Sequence, residues 1–458
     1  MLALALLVGW VRLWRLGTWS LWIDEAYTVA DWSRAADEGR LWNPLGYRAI
    51  RATVELLGGE PEAWNLRLLP ALAGWACVPL AAWCFRPAAG GRRAAWIALL
   101  LALSSWHVFW SQSARFYTLA MATSLLGSGL TLRGLYGGRT GLAMAGLVVA
   151  SLAAAFHPTA LMVVPVLALA PWVVGARGAS PGAGFDRTGR WLSRAAFLGA
   201  GAGALVLGPA LLGHVSEKGT ADPVAGPAHL ALTCGFFFTP VVLAAGAWGG
   251  WRAWRERAPL GILALVVCLG VGLTALGLGT VSLMTAQYVF CLLPWALVLA
   301  TEPVGLVEHR PRLAAGWLAV LLVSAAGNLS LYLTSRRGER PRWEEAYRYV
   351  EAKRSSGDLV LGMAAPIGEL YLGGTEADPR RTRAVSPLGD WFPEGPQRWA
   401  RHPRRIWIVV RPQWLDSLRE SDRSRLERWL AGECRLVRRL PVEMEGRDLD
   451  LAVYLREP

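Results

Sequence analysis

The chain has 458 residues, 54% of them hydrophobic and only 18% charged, with a mean hydropathy of +0.32. A soluble protein of that length is more polar, so that class is excluded. The formal net charge of +13 is carried almost wholly by arginine, Lys218 and Lys353 being the two lysines. Much of it falls in short loops between apolar runs, which is the pattern of membrane topology and gives no support for nucleic-acid binding.

Apolar runs long enough to cross a bilayer recur through residues 1–334 and read as about eleven spans. The first, Met1 to Trp10, is short and is followed by a polar loop over residues 17–64. Further spans are expected near 66–85, 94–110, 117–132, 140–156, 158–174, 195–212, 228–250, 260–278, 287–301 and 313–333. The loops after the even-numbered spans carry arginine clusters, which places them in the cytoplasm. The odd loops then face the other side, as does everything beyond residue 334. Residues 335–458 hold more than half of the charged side chains. Helical patterns at 344–354 and 421–431 and apolar strand patterns at 358–363, 405–410 and 449–455 read as an α/β domain. The fold class is therefore a polytopic α-helical membrane protein with a C-terminal extracytoplasmic α/β domain. No glycine-rich phosphate loop occurs, so nucleotide binding has no support. The six cysteines show no CxxC or His-rich metal spacing; four of them, Cys77, Cys84, Cys268 and Cys291, lie in apolar runs as small hydrophobes.

Carboxylates are unevenly spread. Of the 14 acids before Ser335, eight lie between Asp24 and Glu62. Asp24 and Glu25 stand side by side after Trp19 and Trp22, at the edge of the first apolar run, where aromatic rings mark a membrane–water interface. An acid pair at that depth avoids the bilayer centre and stays close to lipid-borne groups, which suits acid–base chemistry. The alternative is a pair of acids in a first helical turn, placed there by the helix dipole. After the third span comes a brief polar break, Ser111-Gln112-Ser113-Ala114-Arg115-Phe116-Tyr117, and after the fifth a His157-Pro158 pair. Arg115 suits an anion; its bland reading is an arginine snorkelling to the interface. Tyr117 could be an interfacial anchor and His157 a helix cap.

Four stretches together resemble the membrane glycosyltransferases of the C superfamily, in particular glycosyltransferase family 39 and its bacterial relatives, over most of the chain. They are Trp22 to Ala26, Ser111 to Leu119, His157-Pro158, and the helix from Trp343 to Val350 followed by Gly357-Asp358. The resemblance implies transfer of a sugar from a polyprenyl-phosphate donor to an extracytoplasmic acceptor (protein, glycan or lipid) at a plasma membrane. It implies Asp24 as the base, with Glu25 either orienting it or binding a divalent metal, and Arg115, Tyr117 and His157 toward the donor phosphate. Two positions depart from the family pattern: Ser113 stands where relatives often carry an acid, and Gln287 where they often carry arginine. No metal is assigned on this basis. A lipid-carrier flippase and an inactive membrane scaffold are the competing classes.

Overall fold

The computed structural model describes residues 1–38, 44–178, 182, 184–195, 198–199, 226–280, 284–308, 310–363, 365–372, 386–388, 403–416, 418–442, 444 and 449–458. The loop holding His214 and Glu217 lies outside them, as does most of the span expected at 195–212. The helices are α1 (Leu2–Gly9), α2 (Ile23–Glu38), α3 (Pro44–Leu56), α4 (Ala63–Leu103), α5 (Ser105–Ser111), α6 (Tyr117–Tyr136), α7 (Thr140–Leu152), α8 (Val163–Ala176), α9 (Pro227–Phe238), α10 (Pro240–Glu256), α11 (Pro259–Leu278), α12 (Leu293–Ala300) and α13 (Pro311–Leu333). The C-terminal part adds α14 (Trp343–Lys353), α15 (Ala365–Leu372), α16 (Pro412–Leu415) and α17 (Glu420–Glu433).

Among the described residues, five helical stretches are long and apolar enough to cross a membrane, at Ala63–Leu103, Pro158–Ala176, Pro259–Leu278, Ala286–Gly305 and Pro311–Leu333; α9 and α10, bent by 98° at Thr239, make a sixth if taken as one span. Leu2–Arg12 and Thr140–Ala155 are shorter apolar helices. The span expected at 66–85 lies within α4, and the one expected at 94–110 begins in α4 and continues into α5. Its start is fixed by a capping box between Glu62 and Asn65, whose side chain accepts the Glu62 N–H at 2.9 Å. Its continuity breaks at Gly90, with φ 74° and ψ 165°, a conformation that a residue with a Cβ rarely adopts. The next break, at Ser104, is also a cap, the Ser104 hydroxyl accepting the His107 N–H.

The C-terminal sheet has the order β2-β1-β3-β5-β4, with β1 at Leu359–Gly362, β2 at Ser386–Pro387, β3 at Ile406–Val410, β4 at Arg435–Leu440 and β5 at Leu451–Arg456. β1 runs parallel to β2 and β3, and β5 antiparallel to β3 and β4. The strands expected at 358–363, 405–410 and 449–455 are present; β4 was not expected. It is an edge strand whose Arg-Leu-Val-Arg-Arg-Leu sequence is mostly exposed and bulged between Leu436 and Arg438, so it lacks the period-two apolar signal.

Alternation along β3 gives the sheet two buried faces. Ile406, Ile408 and Val410 pack with Leu426, Trp429 and Leu430 of α17. Trp407 and Val409 pack with Trp343, Ala346, Tyr347 and Val350 of α14, and in the same cluster lie Leu21, Ala26, Tyr47, Ile50, Val54, Leu66, Ala114 and Phe116. The first loop and the C-terminal domain thus share one hydrophobic core.

The link between α13 and α14 is strained. Arg337, Gly338 and Glu339 follow one another with φ of 48°, 66° and 55°, and a non-glycine residue in that region costs roughly 1–2 kcal/mol. Gly338 also lies against Trp19, where an added Cβ would come to 2.6 Å of the indole. Gly338→Ala is expected to lower stability by about 2 kcal/mol or more, read as a drop in the thermal unfolding midpoint in detergent.

Candidate active site

Helix α2 begins at Ile23 and places Asp24 and Glu25 in its first turn. Neighbours in a helix point about 100° apart, so the two acids meet different surroundings. Glu25 turns inward and is 1% exposed. Its Oε1 accepts from Arg67 Nε at 2.8 Å and from the Ala114 N–H at 2.7 Å. Its Oε2 accepts from the Trp22 N–H at 2.8 Å, Arg67 Nη2 at 2.9 Å and Arg340 Nε at 3.4 Å. Burial alone would raise this carboxyl; Arg67, Arg340 and the Trp22 N–H outweigh it and hold the group down to about 2.

Both arginines are fully enclosed, and carbonyl groups take up the positive charge that one carboxylate leaves over. Arg67 donates from Nη1 to Leu16 O at 2.7 Å and Trp19 O at 2.9 Å, and from Nη2 to Ser20 O at 3.0 Å. Arg340 donates from Nη1 to Gly338 O at 2.9 Å and from Nη2 to Gln112 O at 2.6 Å and Ser113 Oγ at 2.7 Å. Its guanidinium lies 4.8 Å from the Phe109 ring centroid. Glu25 therefore ties together the start of α2, the loop before it, α4, the break between α5 and α6, and the root of the C-terminal domain.

This arrangement revises the expectation for Glu25. Both oxygens are occupied by cationic and backbone donors, which repel a metal ion and leave no proton to exchange near neutral pH. No group of three or more His, Cys, Asp or Glu side chains suited to a metal comes together among the described residues. Ser113 is bonded to Phe109 O at 2.6 Å and to Arg340, so a guanidinium stands where an acid at that position would have pointed.

Asp24 is half-buried, and its carboxylate accepts no hydrogen bond among the described residues. It lies in electrostatic reach of Arg115, Tyr117 and Tyr288. Arg115 reaches back to α2, its Nη1 donating to Asp24 O at 3.3 Å, Thr28 Oγ1 at 3.1 Å and, at the 3.5 Å limit, Tyr47 OH. The guanidinium sits 4.9 Å from the Phe116 ring. Thr28 Oγ1 is also 3.0 Å from Ala114 O, pinning the break to the helix. In contrast to Arg67 and Arg340, Arg115 keeps a buried Nε with no acceptor among the described residues.

Aromatic rings line the next layer. Tyr117 packs on Trp110 at 4.3 Å and on His157 at 4.8 Å between centroids, and His157 on Tyr288 at 5.7 Å. His157 Nδ1 also lies 2.7 Å from Thr159 Oγ1 and accepts the Thr159 N–H at 3.4 Å, capping the turn at Pro158. Asp24, Arg115, Tyr117 and His157, chosen from three separate loops of the sequence, are thus neighbours here. Tyr47, Thr28 and Tyr288 join them; Arg67 and Arg340 sit behind.

The path of the whole chain matches a solved structure. ArnT from Cupriavidus metallidurans in the apo state superposes with a TM-score of 0.53 at 14% identity, over 99% of this chain and 96% of that one. The chain has the ArnT fold. ArnT bound to undecaprenyl phosphate gives a TM-score of 0.52 at 14% identity with the same coverage, 99% and 96%. The Archaeoglobus fulgidus oligosaccharyltransferase in the apo form reaches 0.49 at 12% identity, over 90% of this chain and 69% of that one. These neighbours are C-superfamily membrane glycosyltransferases, the group that the motifs resemble. No protein-family model and no curated protein matches the sequence.

Proposed function

We propose that the chain transfers a sugar from a polyprenyl-phosphate donor to an acceptor hydroxyl of a protein, glycan or lipid, at the outer face of a plasma membrane. The observation that carries this reading is the contrast among three arginines. Two are saturated by protein groups; Arg115 retains a buried N–H without an acceptor among the described residues, as Arg133 and Arg405 also do, and what sets it apart is its place facing Asp24, where an oxyanion from outside the chain would satisfy that donor. The ArnT fold, solved elsewhere with undecaprenyl phosphate bound, supports a polyprenyl phosphate as that oxyanion.

In this mechanism the acceptor oxygen attacks C1 of the sugar while Asp24 takes the hydroxyl proton. The new C1–O bond forms as the bond from C1 to the phosphate oxygen breaks, and the electron pair leaves with the polyprenyl phosphate. Arg115 stabilises that developing charge, with the Tyr117 hydroxyl as a further donor. His157 supports the Tyr117 ring, a smaller part than direct phosphate binding. The glycosyl–phosphate bond supplies its own activation, so no redox or nucleotide cofactor takes part. The polyprenyl tail enters laterally from the bilayer, and the C-terminal domain lies over the reaction side.

The test is transfer from labelled polyprenyl-phosphate sugars in membranes. Arg115→Ala is expected to lower kcat/KM by about 10²–10³-fold, and Arg115→Lys to recover only part of it, since one ammonium lacks the planar fork. Transfer that survives Arg115→Ala unchanged would remove the phosphate role. Carrier movement across the bilayer without sugar transfer would move the protein to the flippase class.

A further inference from the structure

We propose that Arg340 is a positioning residue for this reaction, setting Asp24 against Arg115 from the root of the C-terminal domain. Its kinetic consequence rests on the function proposed above; the arrangement itself rests on geometry alone.

One guanidinium reaches in three directions. Nε meets Glu25, the residue after Asp24; Nη2 meets Gln112 O and Ser113 Oγ, just before Arg115; Nη1 meets Gly338 O of its own strained linker. The Ala114 N–H, donated to Glu25 Oε1 at 2.7 Å, closes the circuit. Each member of the Asp24–Arg115 pair is therefore within one or two residues of a group that Arg340 holds. Arg67 binds the same carboxylate but makes no hydrogen bond to the break between α5 and α6 among the described residues, so it fixes one side only.

The C-terminal domain grips the same loop at two further points. Tyr371 of α15 accepts the Leu21 N–H at 2.8 Å, and Ser20 Oγ accepts the Glu344 N–H of α14 at 3.2 Å. Trp343 and Tyr347, at the start of α14, lie in the core shared with Leu21, Ala26 and Ala114. Displacing this domain would pull on both sides of Asp24 at once. Lysine at 340 keeps the charge but offers a single nitrogen, which cannot span Glu25, Gln112 and Gly338 together.

The experiment uses the full chain in proteoliposomes, with Arg340→Lys and Ser113→Ala. Arg340→Lys is expected to lower kcat by about 100-fold with the donor KM within about threefold, the signature of a misplaced reacting pair. Ser113→Ala, which removes one Arg340 contact, should lower kcat by about threefold on the same scale. A purely structural role predicts instead a lower unfolding midpoint with kcat per folded molecule unchanged, and that result overturns the proposal. A second readout needs no turnover. In an Asp24→Cys/Arg115→Cys pair joined by a short bismaleimide, adding Arg340→Lys should cut the 24–115 cross-link yield about fivefold or more; an unchanged yield overturns the proposal. If the wild type transfers no sugar, the functional reading fails and the cross-link still decides the arrangement. If Arg340→Lys does not fold, Ser113→Ala decides through both readouts.

Discussion

Glu25→Gln is expected to destabilise the protein by about 3–5 kcal/mol, the range for removing one partner of a buried ion pair. The amide has nearly the shape of the carboxylate, so packing is spared. What changes is that two enclosed guanidinium groups lose their counter-charge, and the new NH2 faces the donors of Arg67, Ala114, Trp22 and Arg340. The same group makes a pH signature. Its carboxyl stands at about 2 in the folded protein against an ordinary value of 4.5. A depressed acid contributes stability that is complete above its unfolded pKa and is lost as pH falls toward the folded one. The contribution, on the order of 3 kcal/mol, should be flat from pH 8 to about 5 and decline from about 4.5 toward 2. Thermal unfolding in detergent across that range checks both points: Glu25→Gln should start lower and lack this part of the acid decline. Equal midpoints for the two proteins would show that the cluster contributes nothing to the fold.

Asp24→Asn is expected to reduce sugar transfer by about 10³-fold or more, combining loss of a base worth 10²–10⁴ with loss of the charge facing Arg115, while the unfolding midpoint moves by less than about 1 kcal/mol equivalent. The separation of effects follows from placement. The Asp24 carboxylate accepts no hydrogen bond among the described residues, whereas that of Glu25 accepts five. Adjacent acids should thus divide cleanly, one variant folded and inactive, the other poorly folded. Quantifying transfer per folded molecule for each tells them apart; full activity in Asp24→Asn would end its assignment as the base.

The polar breaks between apolar runs were the readable part of the site. A membrane chain keeps few polar residues at such depths, so Asp24, Arg115, Tyr117 and His157 stood out, and they do converge. Which acid of the Asp24-Glu25 pair faces the protein was not readable, because that depends on helix phase and on partners 42 and 315 residues away. Arg67 carried a faint signal as a lone charge entering an apolar run. Arg340 carried none, since Arg336, Arg337 and Arg342 surround it and only packing selects one among them. The α/β pattern of the C-terminal part was legible from its apolar strands. The core that α14 shares with the first loop was not, because its two halves lie about 290 residues or more apart in the chain, from Val54 to Trp343 at the least.

That separation governs the order of assembly. Glu25 leaves the ribosome 315 residues ahead of Arg340, the guanidinium that completes its enclosure. Until then Glu25 is held by Arg67 and by the Trp22 and Ala114 N–H groups, with one of its two guanidinium partners missing. A chain that stops short of residue 340 keeps α1 to α13 and leaves Glu25 without its second guanidinium, so a later-made segment acts as the check on an earlier one.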